Sequence, residues 1–178
     1  KLLNSISIGR FLTRSTFGQG EAQVDILYAT SEFFEVTDRA SVVSDYRPDV
    51  YHVFIITETT HVEELPSQLP DARLSIDGQV YKPYDIEGPL QVSHHRSITI
   101  RFPAYTDDGR PILPESATAI DLELFGAWDP EGGSRTASWQ VPLAYPEQLG
   151  EKGVWTPMMV FGLSAGLLSF VLTPCLIQ

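Results

Sequence analysis

The strongest constraint on how this chain can fold is a long uncharged segment near its C-terminus, Val154–Ile177 (VWTPMMVFGLSAGLLSFVLTPCLI). None of its 24 residues is Asp, Glu, Lys, Arg or His. Apolar runs of about 18 or more residues are typical of transmembrane helices. At about 1.5 Å per residue, a helix of this length reaches roughly 36 Å, enough to cross a hydrocarbon core of ~30 Å. The sequence therefore predicts one membrane helix over residues 154–178, with the preceding domain held at a membrane surface.

The net charge of −11 is distributed unevenly along the chain. Residues 1–19 contain Lys1, Arg10 and Arg14 and no acidic residue, whereas the rest contains 9 basic and 23 acidic residues. An acidic body argues against nucleic acid as a partner, because phosphate binding needs clustered Lys and Arg. We interpret residues 1–19 as a basic, apolar arm whose periodicity fits either a short helix or a strand at Ser5–Gly9. Either its basic residues contact lipid or a partner protein, or the arm packs on its own domain.

Residues 20–146 consist of short segments of alternating apolar and polar residues, separated by turn residues. Val50–Thr57 is mostly β-branched and aromatic, as expected of a central strand buried on both faces. Asp77-Gly78 is a pair typical of two-residue hairpin turns. The predicted strands are Gln23–Tyr28, Phe33–Thr37, Val50–Thr57, Arg73–Ile76, Gln79–Lys82, Ser97–Phe102, Ala119–Leu124 and Thr136–Val141. This pattern predicts a mainly β fold, an antiparallel immunoglobulin-like β-sandwich, joined to the membrane helix by a short polar linker at residues 147–153.

The predicted sandwich has no residue pattern typical of catalysis or metal binding. Two of the histidines are adjacent at the start of a predicted strand, so they point to opposite faces and cannot chelate one ion together. The acidic loops 107–109 and 129–133 lack the ligand spacing of an EF-hand and are typical of turns. The chain contains four histidines: His52, His61, His94 and His95. We therefore expect no metal and no cofactor, and we favour a non-enzymatic role for this domain.

The predicted membrane helix contains a GxxxG element, formed by Gly162 and Gly166, with Ser169 on nearly the same face. Small residues at this spacing let a second helix approach closely, although glycine is also common in membrane helices without such a contact. Trp155 lies near the start of the helix, where aromatic side chains anchor at the membrane interface. The helix thus predicts the lipid bilayer and integral membrane subunits as partners.

The end of the apolar segment contains the only cysteine of the chain, in Pro174-Cys175. The stretch AGLLSFVLTPC at residues 165–175 resembles the first transmembrane helix of the DsbD/CcdA family of cytochrome c biogenesis and thiol–disulfide proteins. The resemblance covers residues 160–178, and residues 20–146 show no specific match. It implies that Cys175 is the first of two redox cysteines, that Pro174 breaks the helix beside it, and that the β-sandwich is extracytoplasmic. A dithiol cycle needs a second thiol, which these residues do not contain.

Two functions follow from these observations. The first is a single-pass accessory subunit of the bacterial inner membrane, whose periplasmic β-sandwich docks on and stabilises a larger complex such as a photosynthetic or respiratory assembly. The alternative is the N-terminal segment of a DsbD/CcdA-like thiol–disulfide electron-transfer protein, in which Cys175 would be the catalytic thiol.

Overall fold

The computed structural model describes residues 2–17, 22–62, 64–91, 94–126, 128 and 133–145. In these ranges the chain forms three helices and nine strands. The helices are α1 (Leu2–Leu12), α2 (Ser31–Val36) and α3 (Val43–Tyr46). The strands are β1 (Thr13–Phe17), β2 (Gln23–Tyr28), β3 (Tyr51–Thr59), β4 (Asp71–Ile76), β5 (Gln79–Tyr81), β6 (Asp85–Glu87), β7 (His95–Pro103), β8 (Ala119–Phe125) and β9 (Ser134–Gln140).

The first sheet has the strand order β1-β2-β3-β7-β6, and every described neighbouring pair is antiparallel. Its centre is β3, which pairs with β7 from Tyr51 opposite Pro103 to Thr59 opposite His95. Phe54 on the inner face and Val53 on the outer face are both 0% exposed. The prediction of a central strand at Val50–Thr57, buried on both faces, is therefore confirmed along its middle.

The second sheet has the order β5-β4-β8-β9 and is also antiparallel. Its β4–β5 hairpin turns at Asp77 (φ 46°) and Gly78 (φ 87°). Positive φ at both central residues is the conformation of a type I′ turn, whose twist matches that of the flanking strands. The Asp77 carboxylate also accepts hydrogen bonds from the backbone N–H and the hydroxyl of Thr118, at 3.1 Å and 2.9 Å. The hairpin predicted from the Asp77-Gly78 pair is confirmed.

The two sheets bury their inner faces against each other around one apolar core, which is the arrangement of a β-sandwich. The side chains of this core alternate along their strands, as in β8, which confirms the strand predicted at Ala119–Leu124. Its fully buried members are Val24, Ile26, Phe54, Ile56, Leu74, Ile98, Ile100, Phe102, Ile120, Leu122 and Leu124. The protein is thus mainly β in the part of the chain that the structure describes, as predicted.

One side of the sandwich is closed by side chains that link edge strands β1 and β9. Arg14 on β1 donates through Nε to the carbonyl of Ser138 on β9 at 2.9 Å. Trp139 on β9 donates through Nε1 to the carbonyl of Leu12 at 2.9 Å, and its ring lies 5.4 Å from the Arg14 guanidinium. Residues 2–17 of the predicted arm are therefore packed on their own domain as a helix and an edge strand, which is one of the two alternatives for the arm.

A second apolar cluster covers the outer face of the first sheet, where α1 and α2 pack. The strand predicted at Phe33–Thr37 is wrong, because this segment is helix α2. Thr30 caps the helix by accepting a hydrogen bond from the Phe33 N–H at 3.3 Å. Phe33 and Phe34 are both buried in this one cluster. In a strand, two successive side chains would point to opposite faces of the sheet, so they could not both enter it.

Several predicted features lie outside the described residues. They comprise the linker 147–153, the membrane helix 154–178, and the individual residues Lys1, Trp155, Gly162, Gly166, Ser169, Pro174 and Cys175. Among residues 2–17, 22–62, 64–91, 94–126, 128 and 133–145, no helix is long and apolar enough to cross a membrane.

Candidate functional site

A cavity of about 460 Å³ opens at the end of the sandwich where β2 ends and β3 begins. Its walls come from the C-terminal end of β2 with the first turn of α2, the start of β3, the loop at residues 113–117, and residues 141–145. Segments far apart in sequence therefore meet there because the two sheets end at this level. Cavities of this size fall within the range of small-molecule sites.

The inner wall contains a pair formed by Tyr28 on β2 and His52 on β3. The Tyr28 hydroxyl lies 2.8 Å from Nδ1 of His52. The Tyr28 ring stacks on Phe54 with centroids 4.9 Å apart and meets the edge of Trp139 at 5.8 Å. The apolar core thus fixes the tyrosine ring, and the tyrosine hydroxyl in turn fixes the imidazole.

Burial determines the protonation state of both members of this pair. Burial lowers the pKa of His52 to about 4, so the imidazole is neutral at pH 7. Burial, reinforced by the neighbouring Tyr145 and Glu32, raises the pKa of the Tyr28 hydroxyl well above its ordinary value. His52 Nε2 is buried and has no hydrogen-bond partner among the residues that the structure describes. The pair is therefore uncharged and retains one unused polar atom.

A second polar group lies at the rim of the cavity. The Tyr145 hydroxyl is 3.0 Å from Oγ1 of Thr30 and donates to Oε2 of Glu32 at 3.4 Å. Burial raises the pKa of Tyr145, and Glu32 adds to this increase while the hydrogen bond with Thr30 opposes it. The Tyr145 ring packs on Phe11 of α1 with centroids 5.3 Å apart. Tyr145 at the rim therefore links α1 and α2 to the segment that follows β9.

The electrostatic character of the cavity is acidic and aromatic. The described residues that line it include the carboxylates of Glu32 and Glu115 and no Lys or Arg. Three tyrosines and the neutral imidazole supply its aromatic surface: Tyr28, Tyr51, Tyr145 and His52. Such a lining repels anions and attracts cations.

A buried ionic cluster lies elsewhere, at the other end of β3. Arg96 donates through Nε to Oε2 of Glu58 at 2.5 Å, and its two terminal nitrogens donate to the carbonyls of Pro66 and Gln68 at 2.7 and 3.2 Å. Trp128 donates through Nε1 to the other Glu58 oxygen at 2.8 Å. Both carboxylate oxygens and all three guanidinium nitrogens have partners, so this cluster joins the loops to the core and offers no open position to a ligand.

The basic residues predicted to contact lipid or a partner occupy different environments. Arg14 is held within the domain by bonds to backbone carbonyls, including that of Phe11 at 2.8 Å. Arg10 is exposed on the last turn of α1. Of these two, Arg10 is exposed, whereas Arg14 is partly buried and is held by backbone carbonyls of its own domain.

The remaining sequence candidates do not combine into a metal site. His95 begins β7, as predicted for the start of a strand, and its ring lies 6.3 Å from that of His61. In the described part of the chain, no three His, Cys, Asp or Glu side chains come together as metal ligands. The acidic loop 107–109 is a turn in which Asp108 accepts hydrogen bonds from Thr106 and Arg110.

The cavity residues were not identified from the sequence. Tyr28 and His52 are 24 positions apart, and the β2–β3 register brings them together by placing Tyr28 opposite Phe54, two residues after His52. In the sequence, the usable indication of this pair is His52, a polar residue near the start of a mainly apolar strand.

No family model matches this chain, and comparison with curated proteins and with solved structures finds no significant match. The fold and the cavity define a mainly β, two-sheet domain with an acidic, aromatic cavity at one end.

Proposed function

We propose that this protein is a single-pass accessory subunit of a bacterial inner-membrane complex, with an immunoglobulin-like sandwich on the periplasmic side. The membrane helix at residues 154–178 anchors it, and the sandwich docks on a larger assembly such as a photosynthetic or respiratory complex. The observation that carries this proposal is the uncharged segment 154–177, and the position at which the chain leaves the sandwich supports an orientation of the domain.

The chain leaves the domain on the side that carries α1 and α2. Tyr145 is fixed there by its ring contact with Phe11 and its hydroxyl contact with Thr30. Eight residues, 146–153, separate Tyr145 from the first residue of the apolar segment. Fully extended, they span at most about 28 Å. The α1–α2 side of the domain therefore lies close to the bilayer, and the exposed Arg10 is near anionic headgroups or a membrane partner.

A lipid-quenching experiment tests this orientation. In a Cys175→Ser background, a single cysteine replaces either Arg10 on α1 or Val80 on β5, which is 55% exposed and lies in the other sheet. Each variant is labelled with a fluorophore and reconstituted into nanodiscs whose lipids carry a headgroup quencher. We expect strong quenching at position 10 and little at position 80. Equal quenching at the two positions would contradict the proposed orientation.

The contact with a partner helix is tested separately by the stability of the purified complex. Gly162→Ile or Gly166→Ile places a branched side chain on the small-residue face, and we expect the complex to lose subunits during detergent extraction. Val171→Ile, on the opposite side of an ideal helix, is the matched control and should leave the complex intact. If Gly162→Ile and Gly166→Ile also leave it intact, this face is not the contact.

A second candidate function is supported by Pro174-Cys175 and the DsbD/CcdA-like segment around it. In that function Cys175 exchanges a disulfide with a second thiol located outside residues 1–178, since each dithiol cycle needs two cysteines. Alkylation of membranes under reducing and oxidising conditions measures the redox state of Cys175. A thiol that never changes its state, together with an unchanged phenotype of Cys175→Ser, would exclude electron transfer through this residue.

A further inference from the structure

We propose that the cavity where β2 ends and β3 begins binds an organic cation. The cation is an ammonium or guanidinium group carried by a small molecule or by a side chain of a partner protein. This inference goes beyond membrane anchoring and does not depend on it. It rests on three properties of the cavity: its charge, its aromatic walls and its unused hydrogen-bond capacity.

The charge of the lining favours a positive ligand. Glu32 and Glu115 contribute carboxylates, and no described lining residue contributes a cation. His52 does not offset them because its imidazole is neutral at pH 7. Of these two carboxylates, Glu32 contributes to the raised pKa values of Tyr28 and Tyr145, after the larger effect of burial. A cation entering this field is stabilised where an anion is rejected.

The walls provide the surface that delocalised or alkylated cations prefer. Tyr28, Tyr51 and Tyr145 all line the cavity; Tyr28 is buried, and Tyr51 and Tyr145 are half-buried. A cation over the face of a tyrosine is attracted by the quadrupole of the ring, and the attraction grows as the site excludes water. A small, strongly hydrated metal ion would gain less from such walls than a guanidinium, whose planar group is weakly hydrated.

The hydrogen-bond acceptors needed by an N–H cation are concentrated at the rim. The hydroxyl oxygens of Thr30 and Tyr145 lie 3.0 Å apart, and Tyr145 makes only a long 3.4 Å bond to Glu32. A guanidinium that replaces this long bond would place its N–H groups on the carboxylate and on the hydroxyl oxygens at once.

Calorimetric titration of the full chain tests the proposal. The protein is held in nanodiscs of zwitterionic lipid at low ionic strength, so that the bilayer itself does not attract the probes. The probes are arginine methyl ester and citrulline methyl ester, which has nearly the same shape without the charge. We expect saturable one-to-one binding of the arginine ester, about tenfold tighter than that of the citrulline ester. Equal binding of the two, or no saturable binding of either, would overturn the proposal.

A pair of matched variants on α2 locates the site. Glu32→Gln removes the rim carboxylate while keeping its size, and it should weaken binding of the arginine ester about threefold to fivefold, as for an exposed ion pair. Glu35→Gln makes the same change one turn further along the same helix, outside the cavity lining, and should leave the affinity unchanged. If Glu35→Gln weakens binding as much as Glu32→Gln, the effect is general attraction to an acidic surface and the site is refuted.

The source of the cation is distinguished by two further probes. Ethylammonium represents a free small amine, and an arginine-containing tetrapeptide amide represents a side chain of a partner. Binding of ethylammonium with an affinity within about threefold of that of the tetrapeptide indicates a small-molecule site. Binding that needs the tetrapeptide indicates a partner side chain. Either outcome retains the cation site, whereas failure of all the charged probes removes it.

Discussion

The protonation of His52 gives the sharpest prediction about stability. Burial lowers its pKa from 6.5 to about 4 in the folded protein. Between these values the unfolded chain binds a proton that the folded protein excludes, so the free energy of unfolding falls as the pH decreases. A difference of about 2.5 pKa units at ~1.36 kcal/mol each corresponds to roughly 3 kcal/mol. The stability associated with neutral His52 is thus fully present above pH 6.5 and is lost by about pH 4.

Urea unfolding of the full chain in detergent micelles, followed by tryptophan fluorescence at several pH values between 7.5 and 4, measures this loss. His52→Gln removes the titration and should make the curve of stability against pH flatter by roughly 3 kcal/mol over this range. His61→Gln, at an exposed position, should retain the dependence of the unmodified protein. The reasoning is refuted if His52→Gln and the unmodified protein lose the same stability between pH 7.5 and 4.

Three further predictions concern the framework of the sandwich. Arg96→Met leaves the Glu58 carboxylate buried without its cationic partner, and it should lower the free energy of unfolding in urea by about 3–5 kcal/mol. Adding Glu58→Gln should recover part of this loss. Additive losses would show that the pair is not coupled. Gly126→Ala places a Cβ 2.5 Å from the Trp128 ring and should destabilise the protein by about 1–3 kcal/mol, seen as a lower melting temperature. Hydrogen bonds to the Asp77 carboxylate lower its pKa below 3.8. The contribution of the ionised carboxylate to the free energy of unfolding is therefore present above pH 3.8 and is lost as the pH falls further. Asp77→Asn, which keeps the turn conformation, should remove this acid-dependent part of the stability in urea unfolding.

The strands could be predicted where one local rule determines the structure. The Asp77-Gly78 hairpin depends on two adjacent residues that tolerate positive φ, and both adopt it. The alternation of Ile120, Leu122 and Leu124 needs only the period of two that a half-buried strand imposes. Local chemistry and global packing favour the same structure in these segments.

Prediction failed where packing by distant residues decides the structure. The segment Phe33–Thr37 has the composition of a strand, but Thr30 caps a helix there and α1 provides an apolar surface for both phenylalanines. The N-terminal residues were ambiguous by periodicity, and the helix Leu2–Leu12 is stabilised by contacts with α2 and β2. Nothing within either segment indicates those partners, so only the assembled sheet resolves the choice.

The candidate site illustrates the same limit for function. Its acidic rim, aromatic walls and neutral imidazole come from four separate segments, none of which has a recognisable motif. Tyr145 connects this site to the proposed membrane orientation, because it packs on α1, lines the cavity and immediately precedes the segment that leads to the apolar run. A ligand that binds at the Tyr145 hydroxyl therefore contacts the residue that fixes where the chain leaves the domain. The two proposals together predict that cation binding and the position of the domain at the membrane are linked through Tyr145, and that by reciprocity each alters the free energy of the other.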